Sequence, residues 1–181
     1  MSENVLVEAR LTKLDYVRDI TNPYPERFEC THELYKARGL ADGVEGVRVA
    51  GRIMSMRKMG KLSFVTIADI KGKIQIAVKK DVVGEETYEF FKKGFDLGDF
   101  LGVEGEMFTT QVGEKTIRAN QVFFLGKSLR PLPEKFHGVQ DTEICYRQRY
   151  LDLCMNDDTK DRFLKKYRFV KEIRRYLEDN G

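Results

Sequence analysis

The chain has no tryptophan, and among its 181 residues it carries only four prolines, three cysteines and two histidines. Each scarcity excludes something. Cys30, Cys145 and Cys154 are too few and odd in number for a disulfide framework, which points to a reducing, cytoplasmic setting. Cys30 and His32 stand two apart but lack the further ligands of a structural zinc site, so no metal is expected. No apolar run approaches the ~20 residues that span a bilayer. Residues 1–10 are charged where a secretory signal would be apolar, so no membrane partner is expected. Neither sign of charge dominates: 32 Lys and Arg face 29 Asp and Glu, for a net charge of +3 and a pI of about 8.7. A polyanionic partner is permitted by that balance, provided the basic groups are sorted onto one face.

The residues that are present describe a soluble chain of one ordinary domain with flanking helices, or two small domains; 41% are hydrophobic and 34% charged. Residues 2–20 read as a helix, with Ser2 as N-cap and Val7, Leu11, Leu14 and Val17 at helical spacing. Its Arg10, Lys13 and Arg18 suit either a solvated face or a nucleic-acid contact. Asn22-Pro23-Tyr24-Pro25 ends it, because the residue before a proline is pushed out of the helical region. Thr31–Gly39 offers a second, short helix.

From Val44 the hydrophobic period changes to two. Val47, Val49 and Ile53 alternate with Arg48, Ala50 and Arg52 in a first strand that contains Gly51, where a bulge or bend would cost little. Met56–Lys61 reads as a short basic loop. A second strand follows, with Val65 and Ile67 on one face and Leu62, Phe64, Thr66 and Ala68 on the other. After a Lys71-Gly72 turn comes a third, with Ile74, Ile76 and Val78 inward and Lys73, Gln75, Ala77 and Lys79 outward. An exposed ring beside an amide and several lysines has the composition of a base-stacking platform, though an ordinary half-exposed hairpin can carry the same residues. Val83–Gly94 is helical, with Tyr88 and Phe91 placed to plug a barrel end. Strands at Asp99–Gln111 and Lys115–Leu125 complete the set. Three strands, a helix and two strands is the order of the five-stranded OB-fold barrel, whose strands 2 and 3 and 1–2 and 4–5 loops form the usual oligonucleotide face. The expected fold is mainly β with flanking helices, β-β-β-α-β-β.

Ser128–Lys135 is a proline-bearing linker. The dense run Tyr146-Arg147-Gln148-Arg149-Tyr150-Leu151-Asp152-Leu153 follows. A long helix over Asp158–Glu178, capped by Asn156 or Asp157, then carries an apolar stripe of Phe163, Tyr167, Val170, Ile173 and Leu177. The domain reading is residues 1–25, N-terminal helix; 26–127, barrel; 128–135, linker; 136–181, the start of a further domain.

These residues resemble lysyl-tRNA synthetase, a class II aminoacyl-tRNA ligase. Asn22-Pro23-Tyr24-Pro25, Ala50-Gly51-Arg52 and Met59-Gly60-Lys61 before Ser63-Phe64-Val65-Thr66 look like its anticodon-binding domain. Leu129-Arg130-Pro131-Leu132-Pro133, Phe136-His137-Gly138 and Tyr146–Leu153 look like its passage into the catalytic domain. The resemblance implies that the barrel grips the anticodon of a lysine tRNA, Phe64 stacking a base, Gln75 reading the central uridine and Arg57 standing beside it. Lys58, Lys61, Lys73 and Lys79 are then expected to meet phosphates. On the fifth strand Gln121 stands where the family commonly has a glutamate; an amide still accepts a hydrogen bond, but it adds donors and carries no charge.

The long helix resembles the first half of motif one, a dimer-interface helix. The motifs that hold ATP and magnesium are absent from these 181 residues, so no catalytic residue is expected here. The resemblance implies ATP and Mg2+ as cofactors, and a homodimer, for a full enzyme that attaches lysine to its tRNA; the chain by itself is expected not to aminoacylate. Two other classes fit the residues: a stand-alone OB-fold nucleic-acid-binding module, and an assembly fragment that pairs through the long helix.

Overall fold

A computed structural model describes residues 3–132 and 141–181, which fall into two compact units, Met1–Pro131 and Leu132–Gly181. Pro133 of the linker and the Phe136-His137-Gly138 stretch that follows it lie outside the described residues, as does the Ser2 cap.

The first unit opens with α1 (Glu3–Arg18) and a four-residue α2 (Leu34–Ala37). Then come β1 (Val47–Met59), β2 (Leu62–Ala68), β3 (Lys73–Lys79), α3 (Lys80–Val83), α4 (Glu85–Gly94), β4 (Phe100–Thr109) and β5 (Lys115–Gly126). The strands close on themselves in the order β1-β2-β3-β5-β4, antiparallel except where β3 meets β5 in parallel. This is the OB-fold strand order, with the helical segment between β3 and β4 split at Gly84, whose φ of 87° breaks the helix. The core holds the expected inward sets. Val47, Val49, Ile53, Val65, Ile67, Ile74, Ile76 and Val78 are all 0–1% exposed, and each such side chain contributes about 1.5–3 kcal/mol by leaving water. Tyr88 and Phe91 of α4 are buried with them, as the plug reading requires, and the Tyr88 hydroxyl donates to the Gly60 carbonyl at 2.9 Å.

Two local expectations are corrected. Met56–Met59 is strand rather than loop: β1 pairs with β2 up to Met59 opposite Leu62, leaving only Gly60-Lys61, with Gly60 at φ 57°, as the turn. The irregularity in β1 lies between Ile53 and Ser55, not at Gly51. Gly51 serves a close approach instead; a Cβ there would stand 2.9 Å from the Ala68 carbonyl oxygen.

The basic groups of α1 are spent inside the unit. Arg10 donates to the carbonyls of Ser128 (2.5 Å), Arg130 (3.2 Å) and Leu97 (3.1 Å), Lys13 pairs with Asp96 at 2.5 Å, and Arg18 pairs with Asp15 at 2.9 Å. Of the helix's apolar stripe, Leu14 and Val17 are buried while Leu11 is exposed. The fully buried ammonium of Lys127 bridges Asp96 (2.7 Å) and Asp99 (2.8 Å) and caps α4 at the Gly94 carbonyl (2.9 Å). Burial pushes the Asp99 carboxyl up, against the opposing pull of Lys127.

In the second unit, α5 (Thr142–Arg147) and α6 (Arg149–Met155) lead into α7 (Asp157–Asn180). Gln148 breaks the Tyr146–Leu153 run into two helices. Asp152 is buried and gathers Arg149 and the Asn156 amide. The α7 stripe faces solvent: Tyr167 is 64% exposed and Leu177 60%.

Candidate nucleic-acid interface

Strand register decides which side chains share a face, because residues directly opposite each other project to the same side. On the outer surface of the barrel, Arg57 lies opposite Phe64, Phe64 opposite Ala77, and Ala77 opposite Arg118. The adjacent row runs Ser55, Thr66, Gln75, Thr116. The sequence-level residues Arg57, Phe64 and Gln75 therefore meet on one surface, contributed by three strands. Phe64 and Gln75 are half-buried rather than fully exposed, and Arg57 is exposed. Among the described residues, neither Arg57 nor Phe64 has an ion-pair or ring partner.

Gln75 is held. Its amide Nε2 donates to the Thr116 hydroxyl at 3.2 Å, and that hydroxyl donates to the Glu114 carbonyl at 3.1 Å. Glu114 belongs to the β4–β5 turn, where Thr110 N–H reaches the same carbonyl at 3.0 Å and the Glu114 N–H donates to the Thr110 hydroxyl at 3.0 Å. The turn is braced from outside by Arg38, 3.5 Å from the Glu114 carboxylate, and by Lys115, which holds Asp42 at 2.8 Å and the Leu40 carbonyl at 3.0 Å. Arg118 is engaged by Glu106 at 3.3 Å and lies 4.9 Å over the Phe108 ring.

The four sequence-level lysines separate. Lys73 and Lys79 project from the Phe64 face, opposite Ala68 and Leu62, with Lys79 3.8 Å from Asp81. Lys61 is exposed at the β1–β2 turn. Lys58 is opposite the buried Ser63, on the other side of β1, and its ammonium donates to the Lys92 carbonyl near the end of α4 at 2.6 Å. Burial lowers its affinity for a proton, with Lys13 acting in the same direction.

Gln121 does not join the cluster. It lies opposite Glu104, which in turn is opposite Arg48, on the flank built by β1, β4 and β5. The cause is a β-bulge. The β4–β5 register slips between Glu104 and Gly105, so Ala119 pairs with Gly105 and Gln121 with Glu104, leaving Asn120 as the extra residue. The core set of β5 switches from Ile117 and Ala119 to Val122 and Phe124 across it. That change of parity is visible in the sequence and was the available signal. It also marks Thr116 and Arg118, not Gln121, as the β5 residues beside Gln75. Sequence reasoning missed both, together with Glu114.

Cys30 and His32 stay unremarkable: His32 Nδ1 is 2.8 Å from the Thr31 hydroxyl, and burial raises the Cys30 thiol pKa. Among the described residues there is no group of three His, Cys, Asp or Glu that could hold a metal, and no helix is long and apolar enough to cross a membrane.

Residues 47–125 match the tRNA anti-codon family, described as an OB-fold nucleic acid binding domain. Over 96% of its length the chain is 46% identical to a lysine–tRNA ligase of Thermosipho melanesiensis, covering 36% of that protein. It is 44% identical over 97% of its length to that of Syntrophomonas wolfei, again covering 36%. It is 48% identical over 88% of its length to that of Streptococcus agalactiae, covering 34%. The chain spans little more than a third of the length of these curated relatives.

Proposed function

We propose that this chain, which matches the anticodon-binding region of lysine–tRNA ligases, holds the anticodon of a lysine tRNA against the outer face of β1, β2 and β3. The observation that carries the reading is the row Arg57–Phe64 with Gln75 in the row beside it: a ring and a guanidinium left unengaged among the described residues, next to an amide fixed in place. Unstacked anticodon bases offer both a π-face and a hydrogen-bonding edge. Phe64 stacks one base, Gln75 reads an edge, and Arg57, Lys61, Lys73 and Lys79 meet the backbone. Lys58 is withdrawn from that set, because its ammonium is committed to the end of α4.

For the whole protein the same reading gives an ATP- and Mg2+-dependent ligase that joins lysine to its tRNA in the cytosol. The second unit is then the beginning of a class II catalytic domain, with α7 lying at a homodimer interface. The three free cysteines are in keeping with a reducing compartment. The test is the affinity of the chain for a lysine anticodon stem-loop. Phe64→Ala is expected to weaken it by about 1–3 kcal/mol, the usual loss for one stacked base. An unchanged dissociation constant would remove Phe64 from the interface.

A further inference from the structure

We propose that Thr116 is a positioning residue that locks the Gln75 amide in one of its two orientations and so sets which bases the face accepts. This rests on the reading of Gln75 as a base-reading residue.

The argument is one of proton counting. A threonine hydroxyl has a single proton to donate, and a backbone carbonyl can only accept. Thr116 is completely buried, so its hydroxyl has to be satisfied by the groups around it. Its oxygen is 3.1 Å from the Glu114 carbonyl and 3.2 Å from the Gln75 amide. With its proton committed to Glu114, the hydroxyl can only accept from Gln75, and the atom facing it must be Nε2. The carbonyl Oε1 is thereby turned away from Thr116, and among the described residues no donor meets it. The Glu114 carbonyl is itself fixed by the Thr110 bonds across the turn, so the reference point does not drift.

The consequence is a fixed pattern on the ligand side: one outward acceptor, Oε1, and one remaining Nε2 proton. A uracil edge offers an imino N–H beside a carbonyl, and a cytosine edge offers a ring-nitrogen acceptor beside an amino group. An amide free to turn by 180° serves either pattern. With a stacked base held so that its N3 faces Oε1, the locked amide accepts the uracil imino N–H, whereas cytosine sets its N3 acceptor against the Oε1 acceptor and is mismatched. The conservative hydroxyl of serine would keep the lock, and valine, of the same shape, would release it.

The experiment compares Thr116→Val and Thr116→Ser with the unaltered 181-residue chain, using stem-loops that carry uridine or cytidine at the central anticodon position. The unaltered chain is expected to prefer uridine by about tenfold or more, the scale of one well-placed bidentate contact. T116V should bring that ratio close to one, by losing affinity for uridine and gaining it for cytidine. T116S should restore it. A ratio that survives T116V, or a loss that T116S does not repair, overturns the proposal.

A second readout needs no RNA. In the free chain, one Gln75 Nε2 proton should exchange slowly in NMR spectra, and that protection should vanish in T116V but not in T116S. Two equally fast protons in the unaltered chain would contradict the lock. If Gln75→Ala binds both stem-loops as well as the unaltered chain does, the base-reading assignment fails, while the exchange measurement still decides whether Thr116 orients the amide.

Discussion

Two flanks of the barrel carry nearly the same ingredients and treat them in opposite ways. On the flank of β1, β4 and β5, Arg48 lies between two rings, 4.9 Å from Phe28 and 5.6 Å from Phe123, with Glu104 at 3.5 Å and Gln121 in the same row. The 26–32 segment covers part of that flank: Thr31 N–H donates to the Arg48 carbonyl at 3.0 Å, and Phe28 packs over Gly102, where a Cβ would stand 2.9 Å from its ring. On the flank of β1, β2 and β3 there is again an arginine, a ring and an amide, but Arg57 and Phe64 are left unengaged among the described residues and only Gln75 is fixed. Identical residue types therefore serve stability on one side and are available for binding on the other. What separates the sides is the chain that lies over them.

The comparison is sharpened by substitutions expected to move stability on the committed side and affinity on the open one. The largest effect belongs to the most committed charge of the unit. Lys127→Met strands Asp99, which is completely buried, and should cost about 3–5 kcal/mol in urea unfolding, with part recovered by adding Asp99→Asn. Phe28→Ala should cost about 2 kcal/mol of stability, less than a fully buried ring because Phe28 is only half-buried, and should leave stem-loop affinity unchanged. Arg57→Ala should do the reverse: melting stays put, binding weakens for every sequence alike, and the slope of log affinity against log salt falls by about one. The smallest effect is expected at Gln121→Ala, within about 0.5 kcal/mol in both stability and affinity, as for an exposed side chain away from the binding surface. A large loss of stem-loop affinity there would extend the interface to the covered flank and break the contrast.

Much of the architecture was legible from the period-two pattern. The inward sets of β1, β2 and β3 follow directly from the alternation of branched residues, and the helical plug follows from Tyr88 and Phe91. Phe64 and Gln75 could be placed on one face because Thr66 and Gln75 fall opposite each other once the turn at Lys71-Gly72 is fixed. The misreadings have one physical source, the local register. A polar basic stretch was read as a loop where β1 continues to Met59, since Arg57 and Lys58 carry no hydrophobic period of their own. The bulge around Asn120 shifts the outward parity of β5, which sets Gln121, singled out by resemblance, opposite Glu104 and hid Thr116. Charges were harder still. In the sequence Arg10 and Lys13 suit either a solvated face or a polyanion, and only the fold reveals the carbonyls and carboxylate that already hold them.

The central claim is that the open flank, not the covered one, receives the anticodon. Titrating the 15N-labelled chain with a lysine anticodon stem-loop tests it most directly. The amide and side-chain signals of Arg57, Phe64, Gln75 and Glu114 should shift together in proportion to bound RNA, with Arg48, Gln121 and Phe123 unmoved. Shifts concentrated at Arg48, Gln121 and Phe123, with Phe64 and Gln75 silent, would contradict the account.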